Sequence, residues 1–336
     1  MQLVVIAGGF GTRLRPLTLH RPKALVPLLN RPQILYILDR LSSSVDEVIV
    51  AVNYGFAPLR DYFDAHDVGR TVTVVEETTP LGTAGAIKNV EGHIGGTFAA
   101  FNGDVVDTLD MEAFLTFHRR HGTIASLAVW PVEDPSAFGV LALDGDRATR
   151  FLEKPKASEA PSNLVNAGRY IFEPEVFDFI DSGREVSLER EVFPKLIFEG
   201  LYAFRYDGYW SDAGTLASYL HAQALLLEAG GAGIADDAEV GRAAIGKPVL
   251  IGNGCFVEGR VGPRAVLGKG CRIGRASISE SALLDHVNVD DRAEIASSIV
   301  GSGASIGEGA VVQDTIVGDG AQVAPHARLV GARVQA

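Results

Sequence analysis

Cysteine is nearly absent from this chain: of 336 residues only Cys255 and Cys271 carry a thiol. Two cysteines without metal-ligand spacing are too few for a disulfide framework and read as buried free thiols. Positive charge is also short, 30 Lys and Arg against 42 Asp and Glu for a formal −12. That deficit argues against a nucleic-acid partner, because phosphate backbones are held by excess Lys and Arg. No run of about 18 apolar residues occurs, so neither a transmembrane helix nor a membrane partner is expected. The first seven residues are apolar, but they lack a basic lead-in and run straight into Gly8 and Gly9. They do not read as a signal peptide, and a cytoplasmic protein is expected. The eight His show no ligand spacing. His118 and His121, on a helical stretch with Arg119 and Arg120, read as a solvated face, and no His is assigned to catalysis.

What the chain does have is two halves of different period. At 336 residues it is long enough for two domains. From the start to about Glu228, short apolar runs alternate with helical patterns, the signature of an α/β, Rossmann-like, mostly parallel sheet. Strands are expected at Leu3–Ala7, Glu47–Val52, Val72–Val75, Phe98–Phe101 and Ala125–Val129. Helices are expected at Gln33–Leu41, Leu59–Asp64, Ala84–Asn89, Met111–His121 and Leu216–Glu228. Gly230, Gly231 and Gly233 then read as a flexible linker.

Beyond it, aliphatic residues recur about every six positions, as at Ile251 and Val257, Leu267 and Ile273, Val289 and Ile295, Ile306 and Val312. Hexapeptide repeats of this form predict a parallel β-helix. Residues 234–336 form the second domain and residues 1–229 the first; the 103 residues of the second would make five to six coils of roughly 18 residues. Steps of six, four and six from Ile251 through Val257 and Val261 to Leu267 close one coil, which stacks Cys255 and Cys271 in neighbouring coils.

The densest chemical signal is Gly8, Gly9, Gly11, Thr12, Arg13 and, close behind, Lys23. Glycines let backbone N–H groups approach a phosphate chain closely, and Arg13 and Lys23 supply the positive charge such a chain demands. The spacing fits neither a Walker loop nor the dinucleotide fingerprint. Asp104 and Asp212, each in a turn-like context, offer the hard carboxylate oxygens that Mg²⁺ prefers. Glu153 and Lys154 read either as a surface ion pair or as a carboxylate and an ammonium that face a ligand. Asn166, followed by Ala167 and Gly168, reads equally as a turn former or as an amide facing a ligand. Tyr209 and Trp210 read as core packing.

The string from Gly8 to Thr18 resembles the signature of the nucleotide-sugar pyrophosphorylases, with wording most similar to the mannose-1-phosphate guanylyltransferases. Further blocks stand in that family's order: Glu77 to Gly85, Asn102-Gly103-Asp104, Phe138-Gly139-Val140, Glu153-Lys154-Pro155, Asn166-Ala167-Gly168 and Trp210 to Gly214. The tail resembles the left-handed β-helix of many members. The resemblance implies a sugar-1-phosphate nucleotidyltransferase, with a nucleoside triphosphate and a sugar-1-phosphate as partners. It implies that Gly8, Gly9, Gly11 and Thr12 cradle the triphosphate, that Glu77, Gly82 and Thr83 lie at the nucleotide, and that Arg13 and Lys23 act in catalysis. It also implies that Asp104 and Asp212 hold Mg²⁺ and that Gly139, Glu153, Lys154, Asn166 and Gly168 line the sugar-phosphate site.

A carboxylate at Glu77 can only accept hydrogen bonds, which suits the two adjacent donors of guanine and makes GTP with mannose-1-phosphate the expected pair. Glu76 is the alternative reader, and UTP or dTTP with glucose-1-phosphate the alternative substrates. Two rival functions remain open: a hexapeptide acyltransferase using His286 or His326, and a non-catalytic regulatory subunit. An open-ended β-helix predicts self-association as a dimer or larger even assembly, with a trimer as the alternative.

Overall fold

The computed structural model describes residues 1–336, which form two compact units. The first comprises Met1–Phe10 and Tyr36–Trp210, the second Gly11–Leu35 and Ser211–Ala336. No helix is long and apolar enough to cross a membrane.

The first unit is built on nine strands: β1 (Gln2–Ile6), β2 (Glu47–Val52), β3 (Thr71–Glu76), β4 (Phe98–Asn102), β5 (Ala125–Pro131), β6 (Gly139–Asp144), β7 (Arg147–Glu153), β8 (Leu164–Phe172) and β9 (Leu201–Arg205). Their order across the sheet is β3-β2-β1-β4-β8-β5-β9-β7-β6. The stretch β3-β2-β1-β4 is parallel throughout. Leu3, Val4 and Val5 are wholly buried, as expected of a central strand covered on both faces. The other half is mixed rather than parallel: β8 runs against both β4 and β5, and β7 against both β9 and β6. The alternation of strand and helix suggested a mostly parallel sheet, and the antiparallel pairs lie in this half. Here consecutive strands are joined by turns too short for a crossover: two residues, Gly145 and Asp146, separate β6 from β7.

Helices α1 (Gln33–Leu38), α2 (Phe56–Ala65), α3 (Gly82–Asn89), α4 (Met111–His121), α5 (Phe193–Glu199) and α6 (Leu216–Leu226) follow in chain order. Asp110 caps α4 by accepting from the N–H groups of Glu112 and Ala113, and Gly122 ends it at φ 56°. His118 on α4 is not on a solvated face. It is 1% exposed, with Nδ1 2.9 Å from Ser126 Oγ on β5 and Nε2 3.2 Å from Glu173 Oε1. Only Arg119 and Arg120 face solvent there, because the apolar stripe of Phe114, Leu115 and Phe117 turns position 118 inward.

In the second unit, three parallel sheets of seven, six and five short strands are visited in rotation. The seven-stranded wall advances 16 residues from Ile251 to Leu267 and again to Leu283, then 17 to Val300 and 17 to Val317. These steps fall below the expected 18 because one corner is shortened, as in the four-residue step from Val257 to Val261. Left-handed residues mark the corners in columns: Gly254, Gly270, His286, Gly303 and Gly320 in one, Arg292, Gly309 and His326 in another. Inside, Ile251, Leu267, Leu283, Val300 and Val317 stack as a continuous apolar core. Cys255 and Cys271 are buried free thiols one coil apart, donating to the carbonyls of Gly268 and Leu284. A buried hydroxyl ladder runs along another corner, in which Ser298 N donates to Ser281 Oγ, Thr315 N to Ser298 Oγ and Ala332 N to Thr315 Oγ1, each at 3.1 Å. Within the glycine tract Gly231 is packed, where a Cβ would lie against Leu29 Cδ2, while Gly230 and Gly233 stand in open space.

Burial pushes the His118 pKa down, against the opposing pull of Glu173, with Arg119 and His121 adding to the downward shift. As pH falls below about 6.5 the unfolded chain takes up this proton first. The stability that neutral His118 contributes is therefore full above that pH and lost as pH falls through the lowered value. Thermal unfolding should show a melting temperature that drops less between pH 7 and 5 in His118→Gln than in the wild type. Equal drops would refute this role.

Candidate functional site

The site residues of the first unit sit where the parallel strands end. Gly8 follows β1, and Glu77 follows β3 with its N–H on Val52 O at 2.8 Å and its carbonyl held by Asn53 Nδ2 at 2.9 Å. A Cβ on Gly8 would lie 3.1 Å from Glu77 Oε1. Gly8 and Glu77 are thus neighbours, while Gly9 is exposed. The Glu77 carboxylate is only 4% exposed and its Oε1 has no hydrogen-bond partner; burial raises its pKa, opposed by the Leu81 N–H. Its neighbour Glu76 is exposed. Gly82 opens α3 with φ +72°, and a Cβ there would lie 2.6 Å from Val186 O. Thr83 is turned to the protein: its hydroxyl donates to Glu189 Oε2 at 2.8 Å and accepts from Leu188 N.

A second group forms where β6, β7 and β8 meet. Gly139 pairs with Glu153 across the antiparallel ladder, and Val140 with Val165, which sets Asn166 beside them. Phe151 and the Glu153 carboxylate fill the space a Gly139 Cβ would take, with contacts of 2.4 and 3.0 Å. Glu153 is half-buried with an unpartnered Oε2, and Lys154 Nζ lies 3.4 Å from its Oε1. Burial raises the Glu153 pKa, followed by repulsion from Glu189, with Lys154 opposing. The Asn166 amide is occupied by the protein: Nδ2 donates to Tyr170 Oη and Oδ1 accepts from Gly168 N.

Asp104 lies in the turn after β4, half-buried. Gly103 donates to Ile6 O at 3.0 Å. Gly168, at φ +71°, receives the Asn102 side chain so closely that a Cβ would lie 2.6 Å from Nδ2. Trp210 is 8% exposed and donates to Ala167 O at 3.0 Å, a core role as expected.

In the second unit, Gly11 at φ +60° leads into the short turn Thr12–Leu14, and Thr18 Oγ1 donates to Gly11 O. Arg13, Lys23 and Asp212 converge on Gly214. A Cβ at Gly214 would lie 2.9 Å from Arg13 Nη2, 3.2 Å from Lys23 Nζ and 3.4 Å from Asp212 Oδ2. Two cations and a carboxylate thus gather against one bare backbone position, where a side chain would displace them. Thr12, Arg13, Arg15, Thr215, Arg333 and Gln335 also line an open cavity of about 650 Å³ with no carboxylate on its wall.

Asp104 and Asp212 are both half-buried carboxylates with access to solvent. No three His, Cys, Asp or Glu cluster as a cation cage. Each of these carboxylates by itself offers the hard oxygen ligands that suit Mg²⁺, a cation that typically takes one or two carboxylates and completes its shell with water and substrate phosphate oxygens.

Sequence reasoning missed Gly214 as a meeting point, Arg15 and Arg333 in the cavity, Glu189, and the buried pair Arg169 and Asp107. A lone charged residue, Arg169, in the largely apolar strand from Leu164 to Phe172 was the available signal for the last.

The nucleotidyl transferase family matches residues 2–229, and the GMPPB C-terminal domain family matches residues 228–336. Mannose-1-phosphate guanylyltransferase 1 of Arabidopsis thaliana is 34% identical over 318 residues, 90% of this chain and 86% of that protein. Mannose-1-phosphate guanylyltransferase of Mycobacterium tuberculosis is 37% identical over 295 residues, 85% and 80% of the two chains. A UDP-glucose pyrophosphorylase solved with UDP-glucose superposes with TM-score 0.60 at 22% identity, over 68% of this chain and 98% of that one, a likeness of fold. The chain therefore belongs to the nucleotidyl transferase family and is a nucleotidyltransferase related to the mannose-1-phosphate guanylyltransferases.

Proposed function

We propose that the chain joins GTP to mannose-1-phosphate, giving GDP-mannose and pyrophosphate. The observation that carries this reading is the meeting of Arg13, Lys23 and Asp212 at Gly214, in a chain 34% identical to a mannose-1-phosphate guanylyltransferase over 90% of its length. A phosphate oxygen of the sugar phosphate attacks the α-phosphorus in line, and pyrophosphate leaves. That oxygen is already ionised at neutral pH, since a phosphate monoester's second pKa is about 6, so no general base is required. His118 is buried in the fold and stands outside this chemistry. The barrier lies in bringing polyanions together, so the protein's work is positioning and charge neutralisation.

Gly8, Gly9, Gly11 and Thr12 would cradle the triphosphate, and Lys23 would hold it. Arg13 would stabilise charge growing on the α-phosphate and leaving pyrophosphate. Glu153 would accept from sugar hydroxyls, with Gly139, Asn166 and Gly168 shaping that wall, and Lys154 would hold the sugar phosphate. Asp104 and Asp212 would hold Mg²⁺, which when bound neutralises phosphate charge. Glu77 would accept from guanine, with Gly82 and Thr83 ordering the segment beside it. Its unpartnered buried oxygen is a cost of about 1–3 kcal/mol that a ligand donor would relieve.

The acyltransferase reading loses ground because His286 and His326 occupy separate corner columns and pack on Gly270 and Gly309. The retained Arg13, Lys23, Asp104 and Asp212 speak against a non-catalytic subunit. We further infer a cytoplasmic protein with functional domains 1–229 and 234–336. We take the three parallel walls as a left-handed hexapeptide β-helix, a reading supported by the stacked aliphatic core.

Pyrophosphate release, measured with Mg²⁺, four nucleoside triphosphates and a panel of sugar-1-phosphates, tests the whole reading. GTP with mannose-1-phosphate should be the preferred pair, and preference for UTP or dTTP with glucose-1-phosphate would overturn that choice. In the same assay Arg13→Ala should lose about 10²-fold or more in turnover; near-wild-type turnover would remove its role. Glu77→Gln should weaken GTP use by roughly 1.5–3 kcal/mol, with a smaller effect on UTP and dTTP. An equal loss for every base would show that Glu77 does not read guanine. Self-association through the C-terminal coils predicts an oligomer in sedimentation at micromolar concentration. Deleting residues after Gly230 should alter assembly more than chemistry, and a monomeric wild type would contradict this.

A further inference from the structure

Arg169 is the only charged residue in β8, and it is 2% exposed. Its guanidinium spans the segment that carries Asp104. Nη1 donates to Asn102 O at 2.8 Å and Nη2 to Val105 O at 2.8 Å. Nε lies 2.7 Å from Asp107 Oδ2, an ion-pair contact between side chains 3% and 4% exposed, and the guanidinium carbon sits 4.7 Å from the centre of the Phe101 ring. Asp107 in turn accepts from Leu109 N at 3.1 Å. One planar fork thus fixes positions 102, 105 and 107, on both sides of Asp104.

A buried ion pair is a poor device for stability alone, since apolar residues of the same volume often serve as well or better. What it supplies is geometry. An Arg fork is rigid and directional, whereas a Lys would offer a point charge on a flexible stem. The backbone of β8 adds a second constraint. Its ladder with β5 is irregular between Asn166 and Tyr170, and Gly168 in the left-handed region admits the Asn102 side chain. Asn102 is thereby held by its carbonyl and by its side chain, from adjacent residues of one strand.

We propose that Arg169 is the positioning residue for the carboxylate of Asp104. It fixes the Asn102–Asp107 segment so that Asp104 is presented to a divalent cation without Arg169 touching substrate. This rests on the Mg²⁺ role proposed above for Asp104. Outer partners of metal ligands commonly change metal affinity by about 10- to 100-fold when removed, and Arg169 acts here one residue further out, through backbone.

The test uses the full chain with Arg169→Lys, Arg169→Met and Asp107→Asn, and with His118→Gln as a variant that perturbs the same core away from this turn. Mn²⁺ binding in the presence of GTP is followed by loss of the free Mn²⁺ signal in electron paramagnetic resonance. The Mg²⁺ concentration for half-maximal pyrophosphate release is measured beside it. Arg169→Lys should weaken Mn²⁺ binding and raise the half-saturating Mg²⁺ by about 10-fold or more, with KM for GTP at saturating metal held within about threefold. Arg169→Met should do more, and His118→Gln should leave both metal readouts unchanged. If Arg169→Met does not fold, Asp107→Asn, which spares the two carbonyl bonds, gives the same readout at smaller amplitude. Wild-type Mn²⁺ affinity in folded Arg169 variants overturns the proposal, even where turnover and melting temperature fall, because that pattern marks a merely structural residue. A wild-type protein that releases pyrophosphate without divalent cation would instead remove the Mg²⁺ reading, and is recognised before any variant is made.

Discussion

Parallel pairing of β1 with β2 and β4, and of β2 with β3, is the constraint on which the first unit depends. Parallel strands in register end at the same edge of a sheet. Ile6 pairs with Ala51 and Asn102, and Ala51 with Val75, so the chain leaves all four strands at one level. The backbone groups orphaned there are then satisfied between neighbouring turns: Ala7 N on Ala51 O, Gly103 N on Ile6 O and Glu77 N on Val52 O. This places Gly8, Glu77 and Asp104 on a shared edge although long stretches of sequence separate them.

Polar groups buried in the first unit are held by specific geometry. Arg169 and Asp107 pair in the dark interior, His118 bridges Ser126 to Glu173, and Asn166 closes on Gly168 and Tyr170. Satisfied networks of this kind fix a unique arrangement, while an unsatisfied member is costly. Glu77 Oε1 and Glu153 Oε2 are among the atoms buried without a hydrogen-bond partner; Asp107 Oδ2 is another, met only by its ion-pair contact with Arg169. The first two belong to the residues proposed to read base and sugar, which is where a ligand donor would repay their desolvation. The β-coil solves the same problem by repetition, through the Ser281, Ser298 and Thr315 ladder.

Charge is distributed against the average. The chain carries a formal −12, yet Arg13, Arg15 and Arg333 line one cavity that no carboxylate enters. A polyanionic substrate is attracted by the local field rather than the net charge, because exposed charges beyond about 10 Å are largely screened at ordinary ionic strength. Asp212 beside Arg13 and Lys23 supplies a negative group to the Gly214 cluster.

Much of this was legible in the chain itself. Apolar runs located β1 to β5 to within two residues, because a buried parallel strand needs side chains that are apolar on both faces. The six-residue period exposed the stacked core, since each inward position must be aliphatic whatever its neighbours do. The glycine-rich string with Arg13 and Lys23 announced phosphate chemistry because few other functions need bare backbone and paired cations together. What the sequence by itself determined, then, was composition along local elements and the chemical character of its turns. The tertiary structure alone decided which antiparallel strands complete the sheet, that His118 turns inward, that Thr83 and Asn166 spend their polar atoms on the protein, and that Arg169 grips the segment around Asp104. Those outcomes depend on partners far apart in sequence, such as Arg169 with Asn102 and Thr83 with Glu189. Local spacing carries no record of such pairs, because a hydrogen bond is set by distance and direction in space, and only the folded chain fixes both.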